Sequence, residues 1–296
     1  VPLKATLPIL GETRLKPAIA SYERALRSGR RQAWAVLLIL ACLAGVSAYV
    51  CNVSISKLVG NIGNFTGYFA RIIPELHVSS FWTDIREWMW NIDRWAKLLA
   101  DTLLMAYCGT LLGFAGGFAL SFFAASNLAP HPAIGFAAKR FFEFCRSVPE
   151  LVFALIFIFA FQLGPVPGVL AISLHTMGSL GKLFSEAVEN VHNGPVESAR
   201  ACGAGCFNAI RFGVLPQVLP AFASYALLRF EINVRATTVI GFVGAGGIGQ
   251  EFLEAIRTFQ YGDVSAILAL ITLTVFAIDF MTERLRHGLI GLAGRP

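Results

Sequence analysis

The sequence predicts an all-α integral membrane protein with about six transmembrane helices and one short cytoplasmic helix, and three observations carry that prediction. Apolar residues make up 56% of the 296 residues and charged ones only 14%, against roughly 25% charged in soluble domains. The apolar residues gather in runs of about twenty, the length that crosses a ~30 Å hydrocarbon core. Between two of these runs lies a polar island, Glu186 to Pro220, far longer than the turn that a hairpin of membrane helices needs.

Taken in order, residues 1–32 hold seven basic side chains (Lys4, Arg14, Lys16, Arg24, Arg27, Arg30, Arg31) against Glu12 and Glu23. This cytoplasmic N-terminal segment is too long and polar for a secretory signal, so the first apolar run, Ala33–Cys51, reads as an uncleaved anchor. Residues 33–96 combine that span with a hydrophilic connection. Trp82, Trp88, Trp90 and Trp95 interleave there with Asp84, Arg86, Glu87, Asp93 and Arg94. Tryptophan at this density beside charges predicts a helix lying in the outer membrane interface; a contact surface for an external protein is the other reading. The core transmembrane domain is 97–285, and 286–296 is a cytoplasmic tail.

The second span, Leu98–Ala124, carries Gly109, Gly113, Gly116 and Gly117, small residues that let helices approach closely in lipid. A cytoplasmic segment with Lys139, Arg140 and Arg146 follows. The third span runs from Pro149 to Gly164-Pro165, and the fourth over Gly168–Val188. The fifth is Pro216–Val243 and the sixth Val264–Met281. Six spans put both termini inside, with fifteen Lys and Arg on the inner segments and six on the outer ones, as cytoplasmic loops require. The net charge of +6 therefore belongs to the membrane topology, and no zinc-finger, RNP or basic-helix pattern points to nucleic acid.

Within the polar island, Asn193-Gly194-Pro195 breaks the preceding helix. Pro195 can then open a new one, where its missing N–H costs nothing. Glu197 complements the dipole of that first turn. Gly203 and Gly205 end the helix and Pro216 restarts the next. The product is a surface helix over about 195–205, held between two spans.

Glu197-Ser198-Ala199, Gly203 six residues after the Glu, and Leu215-Pro216 resemble the EAA-x3-G-x9-I-x-L-P signature of permease subunits of bacterial ABC importers. Ser198 departs from the second Ala and Gly213 from the Ile. RSVPELVFALIF, LFSEAVENVHNGPVESARACGA and RFEINVRATTVIGFVGAGGIG resemble more narrowly the permeases of phosphonate, phosphite and hypophosphite importers, over roughly residues 95–285. Methionine permeases resemble only the glycine-rich end of that last segment. The resemblance implies a methionine-permease-like fold in which the short helix, a coupling helix, docks on an ATPase. It also implies a homodimer, two cytoplasmic ATPase subunits that hold ATP and Mg, an external substrate-binding protein, and a place in the bacterial inner membrane. Glu197, Ser198, Ala199, Gly203, Leu215 and Pro216 would then serve ATPase coupling.

Catalytic chemistry finds no support. No Ser/His/Asp grouping or HExxH occurs, and the histidines are dispersed. No P-loop exists, so the energy must come from another subunit and the chain binds no cofactor itself. Cys202-x3-Cys206 lacks a second pair, so no metal site is expected, and all six cysteines read as small buried hydrophobes. Gly244-x-Gly246-x-x-Gly249 matches a dinucleotide fingerprint in form only, since a hydrophobic helix precedes it. With Gly247, these glycines suit a tight outer turn near a gate.

The charged groups inside spans are Glu150, Lys182, Glu186, Arg229, Glu231 and Arg235, with His175 beside them. Each charge at a helix centre costs roughly 2.5–3.5 kcal/mol on insertion scales, so they should face protein or water. Glu231 and Arg235 are four apart and can pair on one helix face, which leaves Arg229 as spare positive charge. His175 and Lys182, seven apart, share a face. Two readings stay open: these charges neutralise each other, or Arg229, Glu231, Arg235, His175 and Lys182 line an anion's path. A channel or secondary transporter independent of ATP, and an importer of another small solute such as an amino acid, are the alternatives.

Overall fold

The computed structural model describes residues 12–293 apart from 53, 75, 76 and 78, with side-chain surroundings from 28 to 288 except 55 and 58. Lys4 and Arg295, counted above, lie outside the described residues. The chain forms two units that meet at Tyr68/Phe69, and every element among the described residues is helical.

The first unit holds α1 (Glu12–Val50), α2 (Ile55–Gly60) and most of α3 (Ile62–Ile72). Within α1, Ser28–Val50 is long and apolar enough to cross a membrane. α2 starts where the Ser54 hydroxyl accepts the Lys57 N–H at 3.3 Å, which satisfies one of the orphan donors of a helix start.

The second unit contains α4 (Phe81–Trp88), α5 (Ile92–Ala124), α6 (Pro132–Ser147), α7 (Glu150–Phe161) and α8 (Pro165–Glu189). After these come α9 (Asn193–Ala201), α10 (Cys206–Ala209), a π-turn over Ile210–Val214, and α11 (Leu215–Ile240). A 3-10 turn over Gly241–Val243, α12 (Ile248–Arg257) and α13 (Tyr261–Ala293) complete it.

Among the described residues, four helical stretches are long and apolar enough to span, and a fifth exists if the bent pair α6–α7 counts as one. α7, expected as a full span from Pro149, has 12 residues, or ~18 Å at 1.5 Å per residue, short of a ~30 Å core. It meets α6 at 90°. The bend lies at Val148-Pro149: the residue before a proline is driven out of the helical region, and Val148 has ψ 123°. The segment with Lys139, Arg140 and Arg146 is the helix α6. α8 is long enough at 25 residues but less apolar, because protein rather than lipid surrounds much of it.

The glycines of α5 explain that position. They form a stripe against α8 in which a Cβ at Gly109 would lie 2.7 Å from Ile172 Cγ2, and one at Gly113 2.6 Å from Thr176 Cβ. At Gly117 it would lie 3.0 Å from the Gly181 nitrogen. Here the backbones close to a distance that only small residues allow. The other side of α8 packs on α6, where Gly181 accepts the Phe142 ring.

Towards one end of this sandwich, Phe114, Phe118, Phe184 and Phe222 pack together. Phe184 and Phe222 are stacked at 4.0 Å between centroids, and Phe114 meets Phe184 edge-on at 5.4 Å. Leu180, Val188, Val214 and Val218 fill the same core.

Two expectations need correction. The helix that leads into α11 starts at Cys206, and the whole stretch to Val243 is one 38-residue span. Pro216 is the second residue of α11, as expected, but no break precedes it: the π-turn runs straight into the helix and ends two residues before the proline. Its ring would clash with the Phe212 carbonyl and it offers no N–H there, and a widened i→i+5 turn absorbs both defects. The tryptophan-rich segment is only partly an interface anchor. Trp95 is buried, Trp88 Nε1 donates to Ser265 Oγ at 2.8 Å, and Trp90 Nε1 donates to Asp263 at 2.9 Å, so these indoles tie α4 and α5 to α13. Trp82 remains exposed. In the same segment the His77 N–H bonds the Asp84 carboxylate and holds its pKa below the ordinary value. Only Cys145 among the cysteines is buried; the others are exposed.

Candidate functional site

The polar island builds one functional element. α9 comprises nine residues, Asn193–Ala201, close to the predicted length but starting two residues before Pro195. Its C-terminus explains the Gly of the motif. Gly203 has φ +83°, its N–H bonds the Arg200 carbonyl, and the Ala204 N–H bonds the Ala199 carbonyl. That is a Schellman cap, in which a left-handed C′ residue is needed and glycine adopts it without strain. Gly205 plays a different part: with φ −65° it is the N-cap of α10.

Val196 buries into the aromatic core while Glu197 and Ser198 face outward. Ser198 Oγ bonds the Gly194 carbonyl at 2.9 Å, so its hydroxyl is turned back on its own helix and the residue presents little more than an alanine. The departure at Gly213 also has a physical reason. A Cβ there would lie 2.9 Å from Val196 Cα, so the missing side chain is what lets α9 lie against the π-turn.

Gln217 completes the attachment. Its amide accepts the His192 N–H (3.0 Å) and donates to the His192 carbonyl (3.2 Å) and to the Gly213 carbonyl (2.6 Å). Leu215 is half-buried beside it and Pro216 exposed. On the neighbouring side Glu189 accepts the Ser126 N–H and pairs with Lys139, both at 2.8 Å. The Asn127 amide donates to the Val188 carbonyl at 2.9 Å. The α5–α6 loop and α6 are thereby fixed to the end of α8 from which α9 departs.

The charged groups of the spans divide into separate sets. Arg235 pairs with Glu231 at 2.8 Å, as the i,i+4 spacing predicts, and with both oxygens of Asp279 on α13 at 3.1 Å. Lys182 pairs with Glu186 at 3.2 Å. Arg229 belongs to neither set: its Nη2 bonds His175 Nδ1, and Glu150 Oε2 lies 3.7 Å from that same nitrogen. Among the described residues, Arg229 Nε is the buried side-chain nitrogen or oxygen with no hydrogen-bond partner. Such an orphan is costly in a low-dielectric setting and calls for an explanation.

Two residues the sequence reading does not single out matter here. Asp279 is a lone carboxylate in the run ITLTVFAIDFM, and that isolation was its signal. Asn233, buried on α11, donates to Thr110 (2.8 Å) and Thr176 (2.9 Å) and so locks α11 to α5 and α8; an amide inside an apolar helix was the available cue.

The glycine-rich turn does what its composition suggests. Gly244, Gly246 and Gly247 all have left-handed φ, between 75° and 99°. At Gly249 a Cβ would lie 1.9 Å from the Thr238 carbonyl oxygen. The Gly244 carbonyl accepts the Gly164 N–H at 3.2 Å, joining this turn to the one between α7 and α8. Thr102 Oγ1 accepts the Ile248 N–H at 2.9 Å and so caps α12 from α5. Among the described residues no group of His, Cys, Asp and Glu could hold a metal.

Helices long and apolar enough to cross a membrane, with one short polar helix tied to their ends, are an arrangement that suits a membrane transport subunit. The chain belongs to the family of binding-protein-dependent transport system inner membrane components, whose model matches residues 117–289. Relatives include the phosphite transport system permease protein PtxC of Stutzerimonas stutzeri, 45% identical over 65% of this chain and 70% of that one. Another from the same organism, the putative phosphite transport system permease protein HtxC, is 32% identical over 87% of both chains. The phosphate-import permease protein PhnE of Mycolicibacterium smegmatis is 35% identical over 83% of this chain and 44% of its own. Among solved structures, an inward-facing MetNI methionine ABC transporter has the same fold, with TM-score 0.58 at 19% identity over 66% of this chain and 95% of that one. The chain is therefore a multi-pass permease subunit of an ABC importer and not an enzyme. Its family implies ATPase and binding-protein partners.

Proposed function

We infer that two copies of this chain form the translocation pathway of an importer for phosphonate or a related phosphorus oxyanion, phosphite or hypophosphite. Both termini lie in the cytoplasm. There two ATPase subunits carrying ATP and Mg receive α9, through the face that holds Glu197, Ser198 and Ala199. An external binding protein delivers the anion on the opposite side, where the glycine turn 244–249 sits near the gate. The substrate class is supported by the relatives' names. It also fits Arg229, a guanidinium in the membrane domain with an unused donor.

The observation that carries this reading is α9. Its end is capped by Gly203, its flank held by Gln217, and its inner face buried through Val196. A helix fixed so firmly moves with α11 and α8 as one body, and an ATPase that pushes it moves the spans. Arg229 lies 13 residues beyond Pro216, or ~20 Å along α11 at 1.5 Å per residue. Arg235, with Glu231 and Asp279 on it, already has its counter-charges, and Lys182 has Glu186; Arg229 is the cation with donor capacity left for an anion.

The test is ATP hydrolysis and uptake in liposomes that contain the permease with its ATPase and binding protein. Phosphonate, phosphite, hypophosphite and methionine serve as cargo. Stimulation by a phosphorus anion and not by methionine is expected; the reverse overturns the substrate class. The mass of the purified complex decides between two copies of this chain and one copy beside a different permease.

A further inference from the structure

The elbow between α6 and α7 and the guanidinium of α11 are joined through one side chain, His175 of α8. Its helix packs on the last turn of α6, where a Cβ at Gly178 would lie 2.9 Å from the Arg146 nitrogen. The His175 ring accepts a hydrogen bond from Arg229 and has the Glu150 carboxylate, first residue of α7, at 3.7 Å. An imidazole nitrogen that accepts from a guanidinium must carry a lone pair, so the ring is neutral and its proton sits on Nε2. Arg229 is then bonded to a group without charge. The carboxylate that acts on it electrostatically is Glu150, which holds that place from a different helix and without a direct ion pair to Arg229 among those present.

The free Nε–H and the Nη2–H form one edge of the guanidinium, the edge that grips two oxygens of a carboxylate or phosphorus oxyanion in parallel. On this edge Nη2 bonds His175, and Nε–H is buried without a hydrogen-bond partner. Glu150 shares the His175 nitrogen with this edge, which brings its charge up to the guanidinium that an anion would use. Its distance from Arg229 depends on the bend at Val148-Pro149, because Glu150 is the residue immediately after that bend.

We propose that Glu150 is the resident competitor of the transported anion at Arg229, and that His175 is the positioning residue that couples this competition to the α6–α7 elbow. The anion binds when the elbow withdraws Glu150 and leaves when Glu150 returns. The proposal rests on Arg229 facing the anion.

The test uses the complete permease–ATPase–binding-protein complex in liposomes, with phosphite, methylphosphonate and sulfate as probes. Glu150→Gln removes the competing charge. The maximal uptake rate should drop about tenfold while the half-saturating concentration stays level or falls, the signature of an anion that enters but is not expelled; one charge-assisted hydrogen bond is of that size. His175→Leu should raise the half-saturating concentration about tenfold by freeing Arg229. His175→Asn, which keeps an acceptor at the Nδ1 position, should bring it back to within about threefold. Wild-type kinetics for Glu150→Gln overturn the proposal, as does an equal loss in both His175 variants. If sulfate alone drives the wild-type complex and the same pattern of variants follows, the competition stands and the phosphorus substrate falls. If none of the three anions drives it, both fall.

Discussion

Arg229 and Arg235 stand six residues apart on one helix, and their surroundings teach how a membrane domain uses charge. Arg235 contacts two carboxylates, one on its own helix and one on α13, and Thr282 reaches Glu231 as well. It acts as a strut between α11 and α13. Arg229 contacts a neutral ring and keeps a buried Nε–H without a partner. The i,i+4 spacing gives Arg235 a carboxylate on its own helix and α13 adds a second, whereas Glu150 reaches Arg229 only by way of the shared His175 nitrogen. Where a carboxylate pairs with it, a charge in the membrane is structural. Where no carboxylate pairs with it directly, as at Arg229, donor capacity is left over, and that is the basis for proposing it as the anion's contact.

Substitutions can break this contrast. The largest effect is expected for Arg229→Ala, which should reduce anion uptake by at least about a hundredfold, as loss of a bidentate charged contact does, with ATPase co-purification unchanged. Next comes Gly213→Ile, which restores the residue common in the family's motif yet drives a side chain into Val196 of α9. Overpacking of this kind costs about 1–3 kcal/mol, and anion-stimulated ATP hydrolysis should fall about tenfold while basal hydrolysis by the ATPase persists. Asp279→Asn leaves Arg235 with Glu231 alone. Because both groups are partly exposed, the loss should be near 1 kcal/mol, read as a Tm lower by about 2–4 °C, with uptake per assembled complex unchanged. The smallest effect is expected for Ser198→Ala. Its hydroxyl only bonds its own helix, so stability should stay within about 0.5 kcal/mol and coupling should be unaltered.

What could be read beforehand follows the range of each interaction. α9 was legible because its determinants are local, a proline three residues into the new helix and a glycine that must be left-handed; Glu197, expected in the first turn, is the fifth residue and lies beyond it, because the helix starts at Asn193. The Glu231–Arg235 pair was legible for the same reason, four residues on one face. The stripe Gly109, Gly113, Gly117 announced a close neighbour without saying that the neighbour was α8. The partners of Arg235 and Arg229 on other helices, Asp279 and His175, were out of reach because they are 44 and 54 residues away. Pro216 marked the start of α11 but not the π-turn that joins it to α10, where α9 packs against Gly213. Trp88 and Trp90 misled, since an indole suits a lipid headgroup as well as Ser265 or Asp263.

The contrast between the two arginines is tested most directly by comparing phosphite uptake in two reconstituted complexes. One carries Arg229→Ala; the other carries Glu231→Gln, Arg235→Gln and Asp279→Asn together, which removes the strut's charges without stranding any of them. Transport should be lost in the first and retained by the assembled second. Retention in the first and loss in the second would contradict the assignment of the anion to Arg229.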